Sequence, residues 1–165
     1  MTQIYVAGIA MTVFGRHPER SLENLAGEAL VRALADAGCT APQIGVAYYS
    51  GMTNGTLQGQ ISIPGQVIFS KIGIEGIPVY NVENACASGS SAFNLAVQSL
   101  KAGTADVALA IGAEKMNIPD KAKAFAIFEG GWDVSRADEN AATLMKMGEG
   151  ITPPPGSESD KPYSK

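Results

Sequence analysis

The residues best suited to covalent chemistry in this sequence are its two cysteines, Cys39 and Cys86. Cys86 lies in the run "NACASGSSA", where a strand-like segment gives way to a helix-like one. Unpaired backbone N–H groups and the dipole at a helix start favour a thiolate by about 0.3–2 kcal/mol. Because that effect is modest, a strong nucleophile would also need a base. Cys86 is therefore either a nucleophile or a small apolar residue at a tight packing point.

No partner for such a nucleophile is evident in the sequence. The only histidine, His17, precedes Pro18 in a loop-like stretch far from Cys86, and we interpret it as a solvated loop residue. Cys39 follows Gly38, the expected end of a helix, and is interpreted as structural. A complete Cys–His catalytic pair therefore cannot be assembled from these residues.

Several other residues near Cys86 and near the ends of predicted strands admit two interpretations. Ser88 and Gly89 are small enough to let a ligand approach the backbone, or to let another helix pack closely. Met116 could line an apolar pocket or simply fill space. Glu83 and Glu114 could reach the same site, although surface or capping roles are the simpler interpretation. The acidic residues show no metal-ligand spacing, so no metal site is expected.

The elements that must position these residues alternate between strands and helices. An N-cap serine, Ser21, precedes a helix with apolar residues at intervals of three and four, which ends at Gly38. The predicted strands are residues 3–9, 45–51, 78–84 and 106–112, and further helices are predicted from Pro64 to Gly73 and from Cys86 to Ala102. This βαβαβαβ order predicts an α/β fold with a mostly parallel sheet and helices on both faces. Ligands of such sheets gather at the carboxyl ends of the strands, where "NACASG" follows the third strand.

The rest of the chain has weaker patterns. The polar, glycine-rich residues 52–60, "MTNGTLQGQ", are predicted to form a loop. Short helices are predicted at 122–128 and 140–147, and the proline-rich residues 151–165 are predicted to be extended. We therefore predict an α/β half-domain over residues 1–118 and the start of a second region over 119–165.

Composition excludes several functional classes. A chain of 165 residues is the size of one domain, and its formal net charge is −4. Binding to nucleic acid or to an anionic membrane needs clustered Lys and Arg, so neither is expected. No apolar run is long enough to span a membrane, and no signal peptide is recognisable, so we expect a soluble cytoplasmic protein. The two cysteines lack CxxC spacing, which favours reduced thiols over a disulfide or a zinc site.

The stretch "NVENACASGSSAFNLAVQSLKAGTADVALAIGAEKMN", with "IYVAGIAMTVFGRH" and "SLENLAGEALVRALADAG", resembles the N-terminal half of thiolases over residues 3–118. It is most similar to the branch of the sterol-carrier-protein-linked thiolases. The resemblance implies that Cys86 attacks an acyl-CoA thioester to form an acyl-enzyme. The acyl group is then transferred to a second CoA thiol or to a carbon nucleophile. The backbone N–H of Cys86 would help to hold the oxyanion.

The resemblance also implies partners and further site residues. No metal or redox cofactor is needed, coenzyme A thioesters are the substrates, and the protein is expected to be a homodimer or homotetramer. Ser88, Gly89 and Met116 are candidate substrate-binding residues. Asn54 and Gln60 would lie in a loop near the active site and the dimer interface.

Thiolases carry their activating histidine, a second oxyanion-hole histidine and usually a second cysteine in a C-terminal half that this sequence lacks. We therefore expect an N-terminal fragment of a chain at least about twice as long, in which residues 119–165 begin the loop domain, and we expect the isolated chain to be inactive. A split-gene subunit is the alternative origin. A ketoacyl-synthase-like condensing enzyme and a partner-dependent binding subunit are the alternative functions.

Overall fold

A three-stranded parallel sheet is the centre of the computed structural model, which describes residues 3–150 and Thr152. The strands are β1 (Val46–Ser50), β2 (Val79–Val82) and β3 (Ala108–Gly112), and their order in the sheet is β2-β1-β3. In register, Ala47 of the central strand lies between Val79 and Leu109. The predicted parallel α/β fold is confirmed, and three of the four predicted strands form ladders.

Helices precede, connect and follow these strands. They are α1 (Leu22–Ala37), α2 (Asn54–Gln58), α3 (Pro64–Lys71), α4 (Ser88–Lys101), α5 (Lys121–Glu129) and α6 (Ala137–Met147), with 3-10 turns at Ala41–Gln43, Ala85–Ala87 and Val134–Arg136. Within the described residues, no helix combines the length and apolarity that a membrane span requires.

The chain divides into two compact units, residues 1–127 and 128–165. The sheet and the helices that cover it lie in the first unit. In the second, Asp133 accepts a hydrogen bond from the backbone N–H of Ser135 at 3.0 Å, just before α6. The predicted boundary at residue 118 stays a prediction, and the predicted extended segment 151–165 lies outside the described residues, apart from Thr152.

Helix α1 forms where its local sequence predicts it. The Ser21 hydroxyl accepts a hydrogen bond from the Asn24 N–H at 3.2 Å, and the Asn24 side chain accepts one from the Ser21 N–H at 3.4 Å. These two bonds satisfy donors that have no partner inside the helix. Gly38 ends the helix with φ 63°, a conformation that glycine adopts without steric cost.

The central strand is covered on both faces, as predicted. Ala47 and Tyr49 belong to a core cluster that includes Leu30 of α1 and Phe69 of α3. Val46 and Tyr48 point to the opposite face, where they pack with α4 through Ala92 and Ala96. Because successive side chains of a strand alternate between faces, one short strand supports both helical layers.

The predicted first strand, residues 3–9, does not pair with the sheet. The segment carries no strand assignment and lies against α1, where the Ile9 N–H donates to Asp36 Oδ2 at 2.9 Å. Residues 4–10 and 106–111 both line an apolar groove of about 590 Å³. The β-prone sequence is therefore not sufficient for a strand here, and the backbone N–H of Ile9 bonds to α1 instead of to a strand.

Gly8 is the point of closest approach between this segment and α1. A Cβ at position 8 would lie 2.3 Å from the Ala33 carbonyl oxygen and 2.6 Å from the Ala37 nitrogen. We expect Gly8→Ala to lower the free energy of unfolding by about 2 kcal/mol, because rigid helix backbone cannot yield to the methyl group. Urea unfolding measures this change in the free energy of unfolding. In the control Gly15→Ala the nearest atom would be 3.8 Å away, so an equal loss in both variants would contradict the prediction.

An ion pair joins α1 to α3. Lys71 Nζ donates to Glu23 Oε1 at 2.6 Å, and this contact, with the Ser21 side chain, lowers the pKa of Glu23 from 4.5 to about 2. Between these values the unfolded chain binds more protons than the folded one. The stabilisation is therefore complete above about pH 4.5 and is lost as the pH falls toward 2.

We expect Lys71→Met to reduce the loss of stability between pH 6 and pH 3 by up to about 1 kcal/mol, since the pair is partly exposed. Urea unfolding at the two pH values gives the slopes. The control Glu75→Gln changes an exposed carboxylate and should keep the slope of the unmodified protein. Identical slopes in the unmodified protein and Lys71→Met would contradict this assignment.

Candidate functional site

Three chain segments meet at the carboxyl edge of the sheet, around Ser50. The Ser50 hydroxyl, at the end of β1, donates to the Ile111 carbonyl at 3.4 Å. A Cβ at Gly112 would lie 2.4 Å from Ser50 Oγ, and one at Gly89 would lie 4.0 Å from it. The ends of β1 and β3 and the first turn of α4 are therefore adjacent, at the edge where the topology predicts a ligand site.

Cys86 lies in the 3-10 turn Ala85–Ala87, which leads directly into α4. Its thiol is free and exposed. The predicted helix start at Cys86 is thus a tighter turn, and the α-helix itself begins at Ser88. This places the thiol at the open amino end of a helical run, beside the carboxyl edge of the sheet.

The turn that carries Cys86 is held together by the side chains around it. The buried Ser88 hydroxyl accepts a hydrogen bond from the Asn84 N–H at 2.9 Å and donates to the Ala85 carbonyl at 2.7 Å. The Asn84 amide donates to Ser91 Oγ at 2.9 Å. Ser88 therefore braces the turn, and its role in substrate binding stays a prediction. Gly89 is exposed in the first turn of α4.

Ala85, directly before Cys86, has φ 46°. This left-handed conformation is uncommon for a residue with a Cβ and costs about 1–2 kcal/mol. The Ala85 N–H donates to Glu83 Oε1 at 2.7 Å, so Glu83 contacts the turn from the residue after β2. Sequence reasoning missed this strain, since alanine carries no signal for a positive φ.

The structure does not bring His17 into hydrogen-bonding contact with Cys86. A His17 ring nitrogen lies 2.8 Å from the Val13 carbonyl in its own segment, which agrees with the interpretation of a loop histidine. The half-buried Cys39 thiol donates to the Ala37 carbonyl at 3.6 Å, at the end of α1. In the described part of the chain, Cys86 therefore has no hydrogen-bonded base.

The segment predicted as a loop at 52–60 contains helix α2, and its two candidate residues differ in setting. Asn54 is 2 % exposed and donates to the Tyr49 hydroxyl at 2.6 Å. Burial raises the pKa of Tyr49 to about 12, so the phenol stays protonated and donates to the Ala113 carbonyl at 3.1 Å. Gln60 is half-buried and donates to the Ser62 carbonyl at 2.5 Å.

These contacts make Asn54 part of the core beneath the loop, and its Oδ1 is buried without a partner in the described structure. Met116, four residues after the end of β3, is 39 % exposed. Neither placement tests a role in catalysis or in a dimer interface. The assignments of Asn54, Gln60 and Met116 therefore stay predictions.

Comparison with known proteins identifies the family. Residues 4–149 match the model of the family described as thiolase, N-terminal domain. Acetyl-CoA acetyltransferase of Methanocaldococcus jannaschii is 39 % identical over 116 residues, which are 70 % of this chain and 29 % of that protein. Sterol carrier protein 2 of Gallus gallus is 36 % identical over 116 residues, which are 69 % of this chain and 20 % of that protein.

A solved structure agrees with the fold. 3-oxoacyl-(acyl-carrier-protein) synthase III from Aquifex aeolicus VF5 matches with a TM-score of 0.54 at 19 % identity, over 67 % of this chain and 35 % of that chain. The chain therefore spans between a fifth and about a third of the length of these proteins. The match of the N-terminal domain model to residues 4–149, and the α/β fold around the carboxyl edge, show that this chain belongs to the thiolase family.

Proposed function

We propose that this chain supplies the nucleophilic half of a thiolase-type acyltransferase, with Cys86 as the residue that accepts the acyl group. The observation that carries the proposal is the position of an exposed, free thiol in the turn before α4, in a chain of the thiolase family. Identities of 36–39 % to proteins of the thiolase group favour this over a ketoacyl-synthase-like enzyme, whose likeness is 19 % identity and a shared fold.

The proposed reaction is an exchange of thioesters. The Cys86 sulfur attacks the carbonyl carbon of an acyl-CoA, a sulfur–carbon bond forms, and the bond to the CoA sulfur breaks. The proton of the Cys86 thiol leaves with CoA as its thiol. A second CoA thiol or a carbon nucleophile then attacks the acyl carbon, the bond to the Cys86 sulfur breaks, and the proton that the attacking group loses returns to the Cys86 thiol.

The turn before α4 supports the charge that develops in this reaction. Backbone N–H groups at the start of a helical run lack intrahelical partners, and the helix dipole places partial positive charge there. The Cys86 N–H belongs to this set and would donate to the oxyanion of the tetrahedral intermediate. No described residue acts as base beside Cys86, so we propose that polypeptide outside residues 3–150 supplies it.

Exposed apolar side chains on and near α4 are consistent with such additional polypeptide. Phe93 is 49 % exposed, Leu95 is 37 % exposed and Tyr80 of β2 is 53 % exposed. Exposed apolar side chains that form a contiguous patch on a soluble protein mark an interaction surface. We propose that a thiolase C-terminal half covers Phe93, Leu95 and Tyr80. We further propose that the whole protein is a cytoplasmic homodimer or homotetramer, which binds CoA thioesters and uses no metal or redox cofactor.

Thiol labelling tests the role of Cys86. In the protein expressed from its own gene, iodoacetamide should modify Cys86 about tenfold faster than Cys39, because Cys86 is exposed at a helix start. Acetyl-CoA should slow the labelling of Cys86 and leave a thioester on it, both detectable by mass spectrometry of the peptides. Cys86→Ser should abolish acyl transfer, and the control Cys39→Ser should retain it. Equal, slow labelling of both cysteines would refute the proposal.

The strain at Ala85 gives a second test. Ala85→Gly relieves the left-handed strain, whereas the control Ala87→Gly alters a residue with φ −95° and only adds backbone freedom. We expect Ala85→Gly to be more stable than Ala87→Gly by about 1 kcal/mol in urea unfolding. We also expect it to slow acylation of Cys86 a few-fold, because the turn loses its single conformation. Equal stability of the two variants would contradict the inference that the positive φ of Ala85 strains the folded protein.

A further inference from the structure

We propose that Glu114 is a positioning residue that holds the segment after β1 against the carboxyl edge of the sheet, beside the turn of Cys86. The inference rests on the proposed function, since the geometry it protects is that of the acyl-transfer site. Glu114 contacts neither Cys86 nor a substrate in the structure. It acts through the backbone and side chain of residues 52 and 53.

Glu114 follows β3 and accepts hydrogen bonds from two successive residues across the sheet edge. Its Oε1 accepts the Met52 N–H at 2.5 Å, and both of its carboxylate oxygens lie 3.3 Å from the Thr53 nitrogen. The Thr53 hydroxyl donates to Oε2. One carboxylate thus binds three donors that lie more than 60 residues away in the chain.

These donors need an external acceptor because of where they lie. Thr53 is the N-cap of α2, a helix of only five residues, and its side chain makes no capping bond to that helix. A helix this short is not stable alone, and its first N–H groups have no intrahelical partner. Glu114 accepts the N–H of the N-cap residue Thr53 and of Met52 before it, so it holds the entry to α2 from the segment after β3. Thr53 is 1 % exposed, so its N–H and hydroxyl have little access to water beside Glu114, which is itself exposed.

The residues on either side of Glu114 hold the same segment. The Ala113 carbonyl accepts the Tyr49 hydroxyl, which also binds Asn54. The Lys115 carbonyl accepts the Gln58 side-chain amide at 3.1 Å. Glu114 and Lys115 therefore bind the segment at its beginning and its end, and Ala113 contacts it indirectly through Tyr49.

The residues just before the anchored segment are hydrogen-bonded to the strand that leads into the Cys86 turn. Gly51, next to Met52, donates its N–H to the Val82 carbonyl at 3.4 Å, and Val82 ends the strand from which the Cys86 turn departs. Ser50 lies beside the first turn of α4. Without the Glu114 contacts, the segment after β1 would therefore become more mobile beside the site, whereas the Cys86 thiol would stay in its own turn.

The first experiment measures the anchor, by which we mean the hydrogen bonds from Met52 and Thr53 to Glu114, and it does not depend on catalysis. In the protein expressed from its own gene, we expect Glu114→Ala to speed hydrogen exchange of the Met52 and Thr53 amides about tenfold, since charged acceptors make strong bonds to them. Glu114→Gln keeps one oxygen and should give a smaller increase. The control Glu75→Ala removes an exposed carboxylate outside this edge and should change neither amide. Unchanged exchange in Glu114→Ala would overturn the anchor.

The second experiment measures positioning. With acetyl-CoA as substrate, we expect the KM of Glu114→Ala to rise about tenfold and its kcat to stay within about twofold, with Glu114→Gln rescuing most of the loss. The rate of Cys86 labelling by iodoacetamide should not change, because the thiol keeps its turn. Faster exchange with unchanged KM would overturn the positioning role while leaving the anchor.

The two proposals fail in different ways. An unmodified protein that neither acylates Cys86 nor transfers acyl groups refutes the proposed function and the positioning role with it, and amide exchange still decides the anchor. If Glu114→Ala does not fold, amide exchange and KM are compared between the unmodified protein and the variants Glu114→Gln and Thr53→Val. Thr53→Val removes only the hydroxyl donor, so its effect should not add to that of Glu114→Gln.

Discussion

The pairing of β1 with a parallel strand on each side is the constraint on which the rest of this structure depends. All five residues of β1 are buried, and their backbone groups bond to β2 and β3. Because the three strands run in the same direction, their carboxyl ends lie at one edge. The parallel order therefore brings the turn of Cys86, the segment after β1 and the residues after β3 to the same edge.

The carboxyl edge combines a tightly held framework with an accessible thiol. Ser50 and Ser88 are buried, and Gly112 faces Ser50 where a side chain would not fit. Cys86 itself is exposed. Such an arrangement orients a nucleophile through its backbone, since the bonds of Ser88 and the strained Ala85 define the turn and leave the sulfur free. A thiol held in this way needs little reorganisation to react.

The turn of the proposed nucleophile, Cys86, is held by residues close to it in the sequence. Among the described residues, the side-chain hydrogen bonds around this turn lie within residues 83–91. The position of Cys86 therefore depends on groups that this chain supplies. The proton acceptor is a separate requirement that none of those contacts satisfies.

Local signals predicted the elements that are stabilised locally. Ser21, the apolar spacing of α1 and Gly38 all act within one helix, so its predicted bounds agree with the structure. The same holds for the strand-to-helix change around Cys86, apart from the 3-10 turn. Helix α2 was not predicted, because "MTNGTLQGQ" lacks a local cap and the residues that lead into the helix, Met52 and Thr53, are held by Glu114, far along the chain.

The sequence by itself determined the α/β class, the order of five of the six described helices and three of the strands, and the placement of Cys86 at a strand-to-helix turn, since each depends on neighbouring residues. Only the tertiary structure decided that residues 3–9 lie on α1 instead of pairing, that Ala85 is left-handed, and that Asn54 is buried on Tyr49. The physical reason is that these outcomes depend on which backbone and side-chain groups the fold brings together, and no local pattern encodes those distances.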